Sequence, residues 1–340
     1  MKILLLGEFS GVNTSLNSHL LSLGHDVSFF AERDGWKDYK GESFFYRYGR
    51  SKWLYFLNVI YVLFNLRKLT NYDYVFFISP NFPGKLYYLL GIYHLLVKRN
   101  KKIVYYACGT DYGYVSTRKF SEYSPYVEGG AVAPKFNRID KLLFNWFAEN
   151  VSTIYSSAPD YAFFFRNRSN YLGHKCLPLV FDNNFHRNKA LNSKKVDRIK
   201  IFHPISRPEF KGSKFIIQAL EKFRKMPGIE VVIVERVSLS ELENHLSDTD
   251  ILIDQCLGYG FGILATLGMH YECIVLTGFR DENSCVFHPG IYNIDPDVER
   301  IEGLLESLIK LSKIQLKSLQ LNSQRYISEL NKNNIKDIFL

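Results

Sequence analysis

Apolar residues fall along this chain in two alternating rhythms. Short unbroken runs such as Lys2–Leu6 (KILLL) and Asp26–Phe30 (DVSFF) read as strands buried on both faces of a parallel sheet. Between them, Thr14–Leu23 carries its apolar residues at helical spacing, with the loop Gly7–Asn13 before it and Gly24-His25 after it. The alternation continues through a strand at Tyr72–Ser79, a helix at Leu86–Val97, a strand at Lys101–Cys108 and a loop at Gly109–Tyr114. A helix near Lys141–Asn150 and a strand at Ser152–Ala158 follow.

The stretch Leu177–Asp197 (LPLVFDNNFHRNKALNSKKVD) is polar, basic and rich in asparagine, and interrupts the rhythm. Beyond it the pattern restarts with a strand at Arg198–Ile205, a helix at Lys214–Met226, a strand at Ile229–Glu235 and a helix at Leu239–Leu246. A strand at Asp250–Gln255, a helix at Ile263–Tyr271, a strand at Cys273–Gly278 and a helical tail from Val298 to Leu340 complete it. The expected organisation is an N-terminal domain at 1–176, a linker at 177–197, a C-terminal domain at 198–320 and a last helix at 321–340 packing back on the N-terminal domain. Two successive βα halves make this an α/β protein. They suggest two Rossmann-like domains facing each other, with ligands in the cleft outside the carboxyl ends of the strands. Periodicity alone fits other doubly wound enzymes as well. The first loop reads GEFSGVN and lacks G-x-G-x-x-G, which argues against a nicotinamide cofactor.

Composition narrows the function classes. A chain of 340 residues accommodates two domains, and its net charge of +9 suits an acidic substrate, an anionic membrane surface or nucleic acid. No zinc spacing, arginine-rich arm or nucleic-acid motif accompanies that charge, so nucleic acid is the least supported partner. The five cysteines are scattered without a CxxC pair, which indicates neither a metal site nor a disulfide framework. The start, MKILLLGEFSG, has too short an apolar run for a secretory signal, and Trp53–Leu66 and Leu86–Val97 are too short to span a bilayer. The expected location is the cytoplasm, at the inner face of the plasma membrane. Arg67, Lys68, Lys98, Arg99, Lys101 and Lys102 flank the two apolar stretches, as suits contact with anionic lipid.

Candidate chemistry gathers at strand ends. In YGFGILATLGM (Tyr259–Met269), Gly260 and Gly262 with Phe261 between them lead from a strand into a helix, whose free N–H groups suit a phosphate. In HPISRPEFKGSKF (His203–Phe215), Arg207 and Lys211 lie four apart before Gly212 at the entry to another helix. Fixed cations there suit a diphosphate leaving group, because breaking an anomeric C–O bond leaves negative charge on the phosphate. His203, at the strand end, is a candidate for reaching the same diphosphate, and Asp111, in the loop after a buried strand, is a further candidate site residue. An Asx turn explains Asp111 equally well. No Ser-His-Asp order, DxD motif or HExxH is present, so no metal is indicated.

Around these residues the chain resembles retaining GT-B glycosyltransferases of the family-4-like group. Tyr259–Met269 is similar to that family's EGFG…E segment, and Arg207 with Lys211-Gly212 to its R…KG motif, here one residue shorter and with an unusual Pro208 in the loop. GEFSGVNTSLNSHLLSLGHDVSFFAERDGWKDY (Gly7–Tyr39) looks like the first segment of bacterial O-antigen and capsule glycosyltransferases, in which a glycine loop near Gly11 lines the donor cleft. DTDILIDQCLGYG (Asp248–Gly260) looks like their strand before the donor loop. The resemblance implies a GT-B fold and transfer of a sugar from a nucleotide diphosphate, UDP or GDP, to a lipid-linked or growing surface glycan. It implies a retaining outcome without a metal or other cofactor. Arg207, Lys211 and Asp111 become the candidate catalytic residues, and Gly11, His203, Gly212, Glu235, Tyr259, Gly260, Phe261 and Gly262 the donor contacts.

One departure bears on activity. The two glutamates with which that family holds the donor sugar and the ribose fall on Tyr259 and Leu267. Leucine cannot bond a ribose hydroxyl, and losing such a charged partner costs about 1.5–3 kcal/mol of binding. Two alternatives therefore stand beside a working transferase: a catalytically silent GT-B homologue that binds glycan or supports a partner enzyme, and a sugar-nucleotide epimerase using carboxylates such as Asp111, Asp254 or Glu235.

Overall fold

The structure is a computed structural model that describes residues 1–31, 52–80, 82–118, 121–175, 198–279 and 288–339. The chain forms two compact units, one made of Met1–Thr117 with Pro134–Lys175, the other of Arg118–Ala133 with Cys176–Leu340. Residues 118–133 thus group with the C-terminal half. The linker expected at 177–197 lies outside the described residues, as do Cys176 and Cys285.

The first unit is built on β1 (Lys2–Leu6), α1 (Val12–Ser22), β2 (Asp26–Phe30), α2 (Lys52–Phe64) and β3 (Tyr74–Phe77). It continues with α3 (Lys85–Leu89), α4 (Ile92–Arg99), β4 (Lys102–Ala107) and α5 (Tyr112–Arg118), then α6 (Arg138–Asn150), β5 (Thr153–Ser156), α7 (Pro159–Ala162) and β6 (Tyr171–His174). Among the described residues its six strands lie parallel in the order β2-β1-β3-β4-β5-β6. The chain steps from β1 outward to β2 and returns to β3 on the other side, so the order reverses between β1 and β3. Leu4, Leu6, Val75, Phe77, Tyr105 and Ile154 of the sheet share one core with residues of α2, α4 and α6. The helix expected over Leu86–Val97 is two helices, because Gly91 takes φ +77°, a left-handed conformation that a right-handed helix cannot pass through. Asn137 and Asp140 cap α6 reciprocally, which explains its start.

The second unit comprises β7 (Ile199–Ile205), α8 (Pro208–Lys211), α9 (Ser213–Glu221), β8 (Ile229–Glu235), α10 (Leu239–Leu246), β9 (Ile251–Ile253) and α11 (Ile263–His270). β10 (Ile274–Thr277), β11 (Ile291–Asn293), α12 (Val298–Ile309) and α13 (Lys313–Phe339) follow. Among the described residues its five parallel strands run in the order β11-β10-β9-β7-β8, reversing between β7 and β9. Alternate residues of one strand serve opposite faces: Ile251 and Ile253 join the core under α9 and α12, while Leu252 joins the core under α11. Burial on both faces is why these strands read as continuous apolar runs.

The tail expected as one helix from Val298 is two. Ser312 accepts from the Gln315 N–H at 3.3 Å while Gln315 Oε1 accepts from the Ser312 N–H at 2.9 Å, a box that starts α13 afresh. Leu316 and Ile327 of α13 are buried in the cores of the second unit, and Gln320 donates to Asp250 Oδ1 at 3.1 Å. Over residues 316–327 this helix packs on its own unit, where its apolar stripe is buried. No helix among the described residues is long and apolar enough to cross a membrane.

Candidate functional site

In parallel α/β units the loops that follow the strands flanking an order reversal form a crevice for ligands. In the second unit those loops follow β7 and β9, and they are bonded to each other. Lys211, the last residue of α8, places Nζ 2.7 Å from Asp254 Oδ1 and 3.3 Å from the Asp254 carbonyl oxygen. Both side chains are buried. The backbones are tied as well, since the Cys256 N–H donates to the Lys211 carbonyl at 2.9 Å. Asp254 Oδ2 is buried and has no hydrogen-bond partner among the described residues.

Gly212 lets the two loops meet. Its φ is +71°, and a Cβ there would lie 2.4 Å from Cys256 Sγ, so any side chain meets both backbone strain and overlap. Gly262, on the neighbouring loop, caps α11 without side-chain help, and a Cβ on it would stand 2.7 Å from Asp254 Oδ2. Lys211, Gly212 and Gly262 thus lie around Asp254 and Cys256 within one unit. Asp254, quoted in the strand DILIDQ but not matched to Lys211, is the group that joins them. The signal was an acid at the end of a buried strand; its partner lay 43 residues away.

His203 is fully buried in β7. Its Nδ1 lies 2.8 Å from the Ile253 carbonyl and its Nε2 3.0 Å from Ser213 Oγ. A carbonyl only accepts, so Nδ1 carries the proton and Nε2 accepts from the serine hydroxyl. Burial, then the nearby Lys211 charge, pushes its pKa down to about 4. Expected as a donor contact, His203 has both nitrogens committed to protein and instead holds β7, β9 and the start of α9 together. Arg207 is exposed; it precedes α8 with its guanidinium carbon 3.5 Å from the centre of the Phe210 ring. Glu235 is exposed at the carboxyl end of β8, in register with Ile205.

The two positions where the resemblance expects glutamates are both internal. Tyr259 is buried; its phenol oxygen accepts from the Tyr123 N–H at 3.0 Å, and the Arg118 guanidinium lies 4.5 Å from its ring centre. Arg118 also donates to the Leu257 carbonyl at 2.5 Å. The segment 118–133 thus grips the glycine loop, a role that no local pattern announces. Leu267 is buried in the core beneath α11. Phe261, expected at the donor, stacks on Phe279 at 4.4 Å and 6° and meets Tyr326 edge-on at 5.9 Å. The Gly260 carbonyl accepts from Gln255 Nε2 at 3.1 Å.

In the first unit the loop after β1 closes on itself. Glu8 accepts from the Gly11 N–H at 2.8 Å, from the Thr14 N–H at 2.9 Å and from the Thr14 hydroxyl at 2.7 Å. Gly11, expected to line a donor cleft, is buried with φ +89° as the cap of α1, and its N–H is taken by Glu8. Glu8 was not foreseen, although an acid just before a helix is a recognisable cap. Burial raises its pKa against these hydrogen bonds. Asp111 is buried; Oδ1 accepts from the Tyr114 N–H at 2.8 Å, which caps α5, and Oδ2 accepts from the Tyr105 hydroxyl at 2.5 Å. Burial lifts Asp111 to about 6. The capping alternative accounts for half of its bonding.

No family model and no curated protein matches this chain. Solved structures do, over nearly its whole length. HepE from Anabaena in complex with UDP-glucose is 13% identical, with a TM-score of 0.65 and 99% of each chain covered. WaaG, a glycosyltransferase involved in lipopolysaccharide biosynthesis, is 12% identical with a TM-score of 0.58, covering 99% of this chain and 98% of its own. The UDP-GlcNAc 2-epimerase of Neisseria meningitidis bound to UDP-GlcNAc is 11% identical with a TM-score of 0.56, at 99% of both chains. At these identities the likeness speaks for architecture: two parallel-sheet α/β units in one chain, the GT-B fold.

Proposed function

We propose that this protein is a GT-B glycosyltransferase that moves a hexosyl or related sugar from a UDP- or GDP-sugar to a lipid-linked or growing bacterial surface glycan of the O-antigen or capsule kind, at the inner face of the plasma membrane. The observation that carries the reading is the buried Lys211–Asp254 pair at the strand-order reversal of the second unit. An ammonium has three donors, and Asp254 engages two of them through its carboxylate and its carbonyl. The third is available to a phosphate oxygen as the anomeric C–O bond breaks, and the uncapped start of α11 adds further N–H donors. Exposed Arg207, stacked on Phe210, is the second cation for the departing diphosphate. Stabilisation by fixed cations and a helix terminus is how such a site works without a metal, and retention is the outcome that the resemblance to the R…KG motif favours.

A second reading has its own support. Tyr259 and Leu267 are both committed to protein contacts, as expected of a silent homologue that keeps the fold and has given up ribose recognition. Thermal-shift titration with UDP, GDP, CMP and dTDP separates the two. A catalytic donor site gives saturable stabilisation by one nucleotide, roughly 2.7 kcal/mol at a hundredfold excess over Kd. The effect disappears in the Lys211→Gln/Asp254→Asn double variant, which removes both charges at similar volume. A folded protein that no nucleotide stabilises rejects the transferase reading in favour of the silent one.

A further inference from the structure

We propose that the apolar face of α2, together with the cations that adjoin its carboxyl end, docks this protein on an anionic phospholipid surface. Between Trp53 and Leu66 the chain has no charged residue. Trp53 is 65% exposed and Phe64 84% exposed, and Leu54, Phe56, Leu57 and Tyr61 are exposed with them. At 3.6 residues per turn these positions share one half of the helix, while Val59 and Val62 on the other half belong to the core of the first unit. Single exposed apolar side chains are ordinary, but a continuous apolar half-helix marks an interaction surface.

Charge identifies the occupant. From Lys52 to Thr110 the sequence holds eight Lys and Arg against one acid, Asp73, which Lys101 already bonds at 2.6 Å. These cations are not spread evenly. Arg67 and Lys68 follow α2, and Lys68 Nζ lies 3.4 Å from the Tyr61 hydroxyl, at the edge of the apolar face. The Asn71 N–H donates to the Arg99 carbonyl at 2.9 Å and Asn100 Nδ2 to the Leu69 carbonyl at 2.9 Å. These bonds bring the carboxyl end of α4, with Lys98 and Arg99, beside the segment that follows α2. Apolar side chains beside a basic edge match acyl chains beneath anionic headgroups. A second copy of this chain seated on the same face about a twofold axis would set those cations against themselves. With 13 residues, α2 is too short to span a bilayer and long enough to lie in its interface.

The inference deepens the acceptor side of the proposed function and rests on it, since a bilayer is where a lipid-linked acceptor is presented; its test does not depend on nucleotide. The full-length protein is co-sedimented with phosphatidylcholine vesicles, with and without phosphatidylglycerol. Trp53→Ser/Phe64→Ser and Arg67→Gln/Lys68→Gln variants, all at exposed positions, are run beside it. Binding is expected to the phosphatidylglycerol vesicles and to weaken with salt. It should fall about fivefold per cation removed and at least roughly tenfold in the apolar variant. Absence of binding by the folded protein, or unchanged binding by the apolar variant, overturns the inference. So does a dimer that Trp53→Ser/Phe64→Ser dissociates in a protein that ignores vesicles, which makes a second copy the occupant. Nucleotide stabilisation without vesicle binding rejects this inference alone, and vesicle binding without nucleotide stabilisation rejects the donor-site reading alone.

Discussion

The Lys211 ammonium lies 2.7 Å from the Asp254 carboxylate, with both side chains buried and the residues 43 positions apart in the chain. Each charge is tolerated inside the second unit because the other is present. Removing only the cation leaves a buried carboxylate with one oxygen that already has no partner among the described residues. Lys211→Met is therefore expected to destabilise the protein by about 3–5 kcal/mol, whereas Lys211→Met/Asp254→Leu recovers most of that loss. Urea denaturation of the three proteins checks it; equal stability of the single and double variants would contradict the pairing.

His203 makes stability depend on pH in one direction. Its folded value of about 4 lies below the ordinary 6.5, so between those pH values the unfolded chain takes up a proton that the folded chain refuses. Its contribution is complete above pH 6.5 and is lost as pH falls towards 4, by about 3 kcal/mol at about 1.4 kcal/mol per unit. Stability measured from pH 7 to pH 4 should fall less steeply in His203→Gln than in the parent.

Asp111 acts in the opposite direction on the first unit. Its folded value of about 6 lies above the ordinary 3.8, so the folded carboxyl keeps a proton that the unfolded chain releases. The stability it contributes is present below pH 3.8 and is lost as pH rises to about 6, again by about 3 kcal/mol. Asp111→Asn should remove this slope. Trp146, in α6 of the same unit, offers a local fluorescence probe.

Gly212→Ala meets two separate obstacles: φ of +71° and a Cβ 2.4 Å from Cys256 Sγ. Left-handed backbone alone costs about 1–2 kcal/mol, and the overlap adds to it. Adding Cys256→Ala should recover the overlap and leave the backbone part. A double-mutant cycle with no coupling between the two sites would show that the loops do not meet there.

Tyr259→Phe removes the hydrogen bond from the Tyr123 N–H, and losing such a bond costs about 0.5–1.5 kcal/mol. Stability should fall while affinity for the stabilising nucleotide stays as it was. A drop in nucleotide affinity without a drop in stability would place the phenol on the donor instead.

Much of this architecture was legible because its causes are local. β1, β2, β8 and α10 span the residues read from apolar periodicity alone, and the doubly wound class followed from their alternation. Where helices were read too long, the breaks were also written in the chain, in Gly91 and in the Ser312–Gln315 cap. The sequence likewise marked Lys211-Gly212 and the loop at 260–262 as belonging to strand ends. What it could not specify is which strand ends meet. β7 and β9 are neighbours because the strand order reverses there, and that adjacency alone gives Lys211 its carboxylate and His203 its carbonyl partner. Tyr259 shows the same limit. Beside a glycine loop its phenol reads as a ligand contact, and only the folding of residues 118–133 into the second unit gives it the Tyr123 amide and the Arg118 guanidinium. Periodicity is set by each residue's near neighbours along the chain, whereas the partner of a buried polar group is set by strand order and long-range packing, which are properties of the whole unit.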